Sequence, residues 1–194
     1  MKKIKTAILI SGRGSNMKAL IDACKNEDFP AEIALVISNK KDAKGLQIAA
    51  QEGIKTIFIN HKEYDSRAGF DSKISEKIEE NGCEIVCLAG FMRLLSREFT
   101  QKWAGKAINI HPSLLPKFKG ATAVKDAFEA KEKKSGCSVH YLVEEMDAGK
   151  IIAQAEVDIN ENDDLATLEA RILEKEHEIY PLALKILCEE ILQK

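Results

Sequence analysis

The sequence lacks several features that would point to particular classes of protein. No stretch approaches the roughly 18 consecutive apolar residues that a membrane-spanning helix needs, so no membrane partner is expected. Aromatic side chains are scarce, with one Trp and three Tyr, and the formal net charge is −2. A chain with neither a positive charge excess nor many aromatic rings is not expected to bind nucleic acid.

Metal-binding and disulfide patterns are also missing. The four histidines show neither H-x-x-x-H nor H-E-x-x-H spacing, so we predict no metal site. No C-x-x-C pair occurs among the five cysteines, which are Cys24, Cys83, Cys87, Cys137 and Cys188. Because they are odd in number and lie in apolar segments, we expect free, mostly buried thiols.

Length and composition indicate an ordinary globular protein. The 194 residues are 45% apolar and 31% charged, which suits one substantial core. The apolar run near the N-terminus is too short for a secretory signal, so a cytoplasmic location is predicted. We find no repeat, linker or low-complexity tract, and we predict one domain over residues 1–194.

Apolar runs alternate with helical patterns through the first part of the chain. This alternation predicts an α/β fold with a mostly parallel sheet covered by helices on both faces. The predicted strands are Lys5–Ile10, Glu32–Ser38, Thr56–Ile59, Glu84–Leu88 and Lys106–Ile110, and the intervening helices are Met17–Lys25, Ala43–Gln51, Ser66–Asn81 and Ser96–Trp103.

The alternation of strands and helices ends after His111. A helix over Thr122–Ala130 precedes two strands, Ser138–Val143 and Ile151–Val157, with no helix between them. Two such neighbours predict an antiparallel or mixed edge of the sheet. A last helix is predicted from about Asp164 to Leu192, with an interruption at Pro181.

A glycine turn joins the first strand to the first helix at residues 11–16, Ser-Gly-Arg-Gly-Ser-Asn. Glycines let the backbone approach a ligand, and the helix N-terminus offers unpaired N–H groups to an anion. Neither the Walker motif nor the dinucleotide fingerprint is completed, which favours a single phosphate monoester. The alternative is a turn that only reverses the chain.

Two polar residues lie at the end of the fifth predicted strand. Asn109 and His111 are two apart, so they share one face of a strand that Pro112 ends, and open α/β sheets bind ligands at such ends. An amide donor beside an imidazole suits a reaction that places negative charge on a carbonyl oxygen. If Asp147 lies nearby, its carboxylate favours the imidazolium.

Each of these features also has an explanation that involves neither a ligand nor catalysis. Asn109 and His111 could only satisfy backbone groups at a strand end, and Asp147 could belong to a solvated acidic turn. The loop Met92–Leu95 could line an apolar cleft for a flat heterocycle or could simply pack in the core.

The motifs together are more specific than any one of them. In this order, they resemble those of the glycinamide ribonucleotide formyltransferase family over essentially the whole chain. Beyond residues 11–16, the motifs are Leu-Ala-Gly-Phe-Met-Arg-Leu-Leu at 88–95, Asn-Ile-His-Pro-Ser-Leu-Leu-Pro at 109–116, Gly-Cys-Ser-Val-His at 136–140, Met-Asp-Ala-Gly at 146–149 and Glu-His-Glu-Ile-Tyr-Pro at 176–181. The resemblance implies a single-domain, Rossmann-like formyltransferase fold. It also implies transfer of a formyl group from 10-formyltetrahydrofolate to the amine of glycinamide ribonucleotide in purine biosynthesis, without a metal.

The resemblance further implies three groups of site residues. The catalytic residues are Asn109, His111 and Asp147. The nucleotide-binding residues are Gly12, Arg13, Gly14, Ser15, Asn16, Pro112, Lys175 and Glu176, with Glu176 on the ribose hydroxyls. The folate-binding residues are Arg67, Met92, Arg93, Leu94, Leu95, Asn109, Val143, Glu144, Glu145, Met146 and Asp147.

The segment Lys119–Val124 departs from better-known members of the family, which carry a Pro-Gly and further histidines there. The expected partners are small molecules, and the expected assembly is a monomer or a homodimer. Two other functions stay open. One is a formyltetrahydrofolate hydrolase or another folate-dependent formyltransferase, and the other is a non-catalytic nucleotide-binding protein.

Overall fold

A seven-stranded mixed sheet forms the centre of the computed structural model, which describes residues 3–193. The strands lie in the spatial order β3-β2-β1-β4-β5-β6-β7. Their bounds are β1 Ile4–Ile10, β2 Ala31–Ser38, β3 Lys55–Phe58, β4 Ile85–Leu88, β5 Ala107–His111, β6 Lys134–Tyr141 and β7 Ile151–Asp158. Strands β1 to β5 are parallel, whereas β6 is antiparallel to both β5 and β7. The predicted mostly parallel sheet with an antiparallel C-terminal edge is therefore confirmed. Residues 1, 2 and 194 of the predicted domain lie outside the described residues.

Helices cover both faces of the sheet. They are α1 Ser15–Cys24, α2 Lys44–Gln51, α3 Arg67–Glu80, α4 Arg97–Lys102, α5 Ala123–Glu129 and α6 Leu165–Leu192, with a short 3₁₀ helix at His61–Glu63. Neighbouring strand residues such as Ile8 and Leu9 point to opposite faces. Ile8 joins the core beneath α1 and α6, and Leu9 joins the core beneath α3 and α4. This two-sided burial explains why the parallel strands are continuously apolar.

Most predicted elements match the observed ones to within two residues at each end, and two differ further. Strand β6 begins at Lys134 rather than Ser138, because the polar segment before Ser138 pairs with β7 through contacts such as Lys134 with Asp158. The predicted interruption at Pro181 is wrong, since α6 runs through it. A proline inside a helix costs about 3 kcal/mol. Burial of Tyr180 and Leu184 on either side, worth roughly 1.5–3 kcal/mol for each large side chain, offsets that cost.

The cysteines follow the prediction. All five lie among the described residues and are free, four of them are buried, and Cys24 is half-buried. Burial raises the pKa of the Cys24 thiol to about 12, so it stays protonated and behaves as a small apolar side chain.

Candidate active site

Loops that follow β1, β2, β4 and β5 meet at the carboxyl edge of the sheet and line a cleft of about 940 Å³. The loop after β1 contributes residues 11–16. Helix α1 starts at Ser15, and no side chain among the described residues caps its N-terminus. Unpaired N–H groups and the positive end of the helix dipole are what a phosphate binds. The structure therefore places the predicted phosphate loop on an open cleft.

The two glycines of this loop have different surroundings. Gly14 has φ +80°, and an added Cβ would lie 2.7 Å from the Cα of Gly45. An added Cβ at Gly12 would meet no atom of the described residues within 4 Å. Gly14 is therefore required by the fold of the loop, whereas Gly12 leaves space that a ligand can occupy. A bulky residue at Gly14 would thus first disturb the loop, rather than simply crowd a phosphate.

Glu176, on α6, lines the same cleft beside the phosphate loop. It is buried, and its Oε2 accepts a hydrogen bond of 2.7 Å from Nδ2 of Asn16. Burial raises the pKa of the Glu176 carboxyl to about 7, although the bond from Asn16 opposes this shift. Oδ1 of Asn16 is buried and has no partner among the described residues. Asn16 and Glu176 can therefore form hydrogen bonds with hydroxyl groups of a bound ligand.

A second cleft, of about 390 Å³, adjoins the first. Met92, Arg93, Leu94 and Leu95 line one wall, and the turn between β6 and β7 lines another. Met92 is 70% exposed and Leu94 is 55% exposed, so this loop is not packed into the core. The residues that border both clefts are Gly90, Met92, Ile110, Pro112 and Ala121. Two ligands bound here would meet at the end of β5.

Asn109, His111 and Asp147 converge in the smaller cleft, beside that meeting point. Nδ1 of His111 lies 3.4 Å from Oδ2 of Asp147. Asn109 is joined to them through His140, whose Nε2 lies 3.2 Å from Nδ2 of Asn109 and 3.5 Å from Oδ1 of Asp147. The side chain of His140 is 2% exposed and that of Asp147 is 8% exposed. The four side chains form one continuous, shielded polar group.

His140 is not among the predicted site residues, although it ends one of the motifs of the resemblance. The signal that could have found it is the pairing of β5 with β6. These strands are antiparallel, and Asn109 stands directly opposite His140 in their register. Directly opposed residues have neighbouring side chains on one face of the sheet.

Hydrogen-bond partners indicate the protonation of the two imidazoles. Nδ1 of His140 lies 2.9 Å from the carbonyl of Tyr141, so Nδ1 carries the proton and Nε2 can accept from Asn109. Both nitrogens of His111 face acceptors, Asp147 and the carbonyl of Phe118 at 2.8 Å, which suits the doubly protonated ring. Burial would raise the pKa of Asp147, but the neighbouring His140 ring, the hydrogen bond from the N–H of Gly120 and the nearby His111 ring lower it overall. The carboxylate is thus ready to pair with a cation.

The segment that departs from the family pattern lies against this group. The backbone N–H of Gly120 donates to Oδ2 of Asp147 at 2.9 Å, and Lys119 pairs with Glu145 at 3.0 Å. Asp147 itself has φ +52°, an uncommon conformation for a residue with a side chain. These contacts connect the segment Lys119–Val124 to the β6–β7 turn, next to the end of β5.

Some predicted binding residues lie elsewhere. Lys175 pairs with Glu178 at 2.7 Å and does not line either cleft. Arg67 and Glu145 are exposed and also line neither cleft. Two cations that the sequence did not single out, Lys40 and Lys125, border the larger cleft together with the predicted Arg13. Both stand outside the motifs, so no sequence signal marked them.

Metal-binding clusters and membrane spans are both absent from the part of the chain that the structure describes. Over residues 3–193, no group of three or more His, Cys, Asp or Glu side chains is arranged to hold a metal ion. Within the same range, no helix is both long and apolar enough to cross a membrane.

A formyl transferase family model matches residues 4–184. The chain is 44% identical to the phosphoribosylglycinamide formyltransferase of Haemophilus influenzae over 185 residues, which cover 95% of this chain and 86% of that protein. Its structure resembles that of glycinamide ribonucleotide transformylase 1 from Symbiobacterium toebii, with a TM-score of 0.95, 39% identity and coverage of 97% and 89% of the two chains.

Longer relatives also match. The chain is 49% identical to the human trifunctional purine biosynthetic protein adenosine-3 over 192 residues, which cover 99% of this chain but 19% of that protein. The chain thus spans about a fifth of the length of this relative. The family match and the relatives of comparable length agree, and the chain belongs to the formyl transferase family, among the phosphoribosylglycinamide formyltransferases.

Proposed function

We propose that this chain transfers the formyl group of 10-formyltetrahydrofolate to the amine of glycinamide ribonucleotide, giving formylglycinamide ribonucleotide and tetrahydrofolate in purine biosynthesis. The observation that carries the proposal is the convergence of Asn109, His111 and Asp147 in the smaller cleft, next to the residues that it shares with the larger one. The protein works in the cytoplasm on small-molecule substrates, as one domain over residues 1–194 and as a monomer or a homodimer.

The nucleotide occupies the larger cleft. Its phosphate binds at residues 12–16, where the N-terminus of α1 is uncapped by any described side chain, and Arg13, Lys40 and Lys125 supply positive charge around it. Asn16 and Glu176 receive the ribose hydroxyls. The glycinamide amine then extends toward Pro112, which borders both clefts.

The folate occupies the smaller cleft. Its pterin ring lies between the loop Met92–Leu95 and the turn that includes Val143, Glu144 and Met146. Apolar walls with a few polar groups are typical of sites for flat heterocycles. The formyl group is thereby held near Asn109 and facing the amine. Fixing two reactants in this way is worth up to roughly 7–11 kcal/mol of the barrier.

The reaction is a direct transfer. The neutral amine attacks the formyl carbon, the C=O π electrons move to oxygen, and the resulting oxyanion accepts hydrogen bonds from Asn109 and the His111 imidazolium. The attacking nitrogen then loses a proton and the folate nitrogen gains one, with Asp147 assisting this movement. The C–N bond to folate breaks as the carbonyl re-forms.

One contact must be exchanged during this reaction. His111 donates to the carbonyl of Phe118 through Nε2, so that carbonyl must give way before Nε2 can bond to the oxyanion. The same loop holds Asp147 through Gly120. Movement of residues 118–120 is therefore part of the catalytic cycle.

The alternative enzyme is a hydrolase that passes the formyl group to water. A hydrolase has no use for a large cleft that carries a phosphate loop and Glu176, and this feature favours transfer to a nucleotide amine. The deciding experiment measures tetrahydrofolate release with and without glycinamide ribonucleotide. Release that depends on the nucleotide, with stoichiometric formylated product, supports the proposal. Equal release without the nucleotide would instead identify a hydrolase.

A further inference from the structure

Ser11 lies where three strand ends meet. Its backbone N–H donates to the carbonyl of Gly90 at 3.1 Å. Its hydroxyl accepts a hydrogen bond of 2.8 Å from the backbone N–H of Met92 and donates one of 2.6 Å to Oδ1 of Asn39. Ser11 therefore connects the phosphate loop after β1 with the folate-side loop after β4 and with the residue after β2.

This network is shielded from water. Ser11 is 3% exposed and Asn39 is 5% exposed. A serine hydroxyl has a single hydrogen, and Asn39 receives it. The lone pairs of the hydroxyl oxygen are therefore left for the N–H of Met92, so Asn39 sets the direction of the bond to the folate-side loop.

Met92 is the residue through which this bond reaches the ligands. It borders both clefts, yet its side chain is largely in solvent and contributes little packing. The turn from Gly90 to Met92 is held by the buried side chain of Phe91 and by two hydrogen bonds with Ser11, one at the carbonyl of Gly90 and one at the N–H of Met92. A displacement of Ser11 would consequently displace the rim of the folate cleft.

We propose that Ser11, oriented by Asn39, is a positioning residue that couples nucleotide binding to folate binding. A phosphate bound to the loop after Ser11 restricts the movement of that loop. Because the hydroxyl of Ser11 is hydrogen-bonded to the N–H of Met92, the position of Met92 becomes restricted as well. Bound nucleotide thus increases the affinity for folate, and bound folate must increase the affinity for nucleotide by the same factor. The inference rests on the proposed function for the identity of the two ligands.

The test measures binding of a non-transferable 10-formyl folate analogue by calorimetry, with and without saturating glycinamide ribonucleotide. In the unmodified protein we expect tighter folate binding when the nucleotide is present. In Ser11→Ala, we expect the folate dissociation constant of the nucleotide complex to rise about tenfold, or ~1.4 kcal/mol, as for loss of a buried hydrogen bond. The coupling factor should approach one in both directions.

Ser75 offers a matched control. It is also a buried serine whose Oγ accepts an N–H bond, from Nε1 of Trp103 at 3.1 Å, but it links α3 to the end of α4 and lines neither cleft. Ser75→Ala should lower stability and retain the coupling. Asn39→Ala should reduce the coupling in the same direction as Ser11→Ala. The double variant should add little to Ser11→Ala, since both act through one network.

The outcomes separate this inference from the proposed function. Coupling that survives in Ser11→Ala, or that is lost equally in Ser75→Ala, would overturn the inference while the unmodified enzyme still transfers formyl groups. Absence of coupling in the unmodified protein would overturn it as well. If Ser11→Ala does not fold, full coupling in Asn39→Ala would likewise overturn the inference. An unmodified protein that transfers nothing to the nucleotide would instead contradict the proposed function.

Discussion

Nε2 of His140 lies 3.2 Å from the amide nitrogen of Asn109, its partner across the antiparallel β5–β6 pair. Nδ1 of His140 donates to the carbonyl of Tyr141, so Nε2 has a free lone pair. This lone pair accepts a hydrogen bond from the NH₂ group of Asn109 and orients that group toward His140. One N–H of Asn109 is thereby used, and the second remains available for a substrate oxygen. The arrangement gives His140 a role in aiming the amide.

This relationship predicts the effect of His140→Ala. We expect kcat to fall about ten- to hundredfold, because Asn109 loses the partner that fixes its orientation. The dissociation constant of the nucleotide should change little. The same measurements on His61→Ala provide the control, since His61 lines neither cleft. An unchanged kcat in His140→Ala would show that the amide is aimed by other contacts.

The two loop glycines predict contrasting variants. Gly12→Ala should leave the melting temperature nearly unchanged, because its Cβ meets no described atom in the unliganded protein, but should weaken nucleotide binding roughly tenfold or more by occupying the phosphate site. Gly14→Ala should lower stability, since φ +80° and the backbone of Gly45 oppose a side chain there. Thermal melts and nucleotide titrations on both variants check this. Normal affinity in Gly12→Ala would place the phosphate elsewhere.

Glu176 predicts a dependence of stability on pH. Its pKa is about 7 in the folded protein, against an ordinary value of 4.5. Between these values the folded state binds more protons than the unfolded state, so this group makes stability fall as pH rises from 4.5 through 7. Glu176→Gln should therefore gain stability relative to the unmodified protein over that window. Melting temperatures at several pH values measure the difference.

The exposed Glu169, which borders the same cleft, provides the control for that experiment. Glu169→Gln should show a melting-temperature difference that is nearly constant with pH. A constant difference for Glu176→Gln too would mean that this carboxyl titrates at its ordinary pKa.

The cations around the larger cleft give a further prediction. Lys40→Ala should weaken nucleotide binding several-fold, more at low ionic strength than at high, because it removes a charge that borders the phosphate site. Lys175→Ala should leave the affinity within about twofold, since exposed pairs like that of Lys175 with Glu178 contribute little. Titrations at two salt concentrations distinguish these residues. A larger loss of nucleotide affinity in Lys175→Ala than in Lys40→Ala would instead indicate that Lys175, and not Lys40, binds the phosphate.

Much of the fold follows from local patterns in the sequence. Continuous apolar strands that alternate with helical periods specify the parallel sheet, and the strand pair without a helix between specifies its antiparallel edge. Asn109 and His111 share a face because they are two residues apart on β5. These predictions need only the periodicity of strands and helices.

The rest depends on contacts between distant parts of the chain. The nearness of Asp147 to His111 arises from the β6–β7 turn, which no local pattern locates, and the role of His140 needs the β5–β6 register. The intrinsic preference of proline predicts a break at Pro181, whereas the packing of α6 keeps the helix continuous. Lys40 reaches the cleft because β2 ends beside β1, a fact of topology that the single sequence does not display.

The most direct test of the proposed mechanism is formyl transfer by purified Asn109→Ala, with nucleotide affinity measured on the same protein. The loss of an oxyanion donor typically costs about 2.7–4 kcal/mol. We therefore predict that kcat falls by roughly 10²–10³ while the nucleotide dissociation constant stays close to that of the unmodified protein. Near-normal turnover in Asn109→Ala would contradict the central claim that the polar group at the end of β5 carries the reaction.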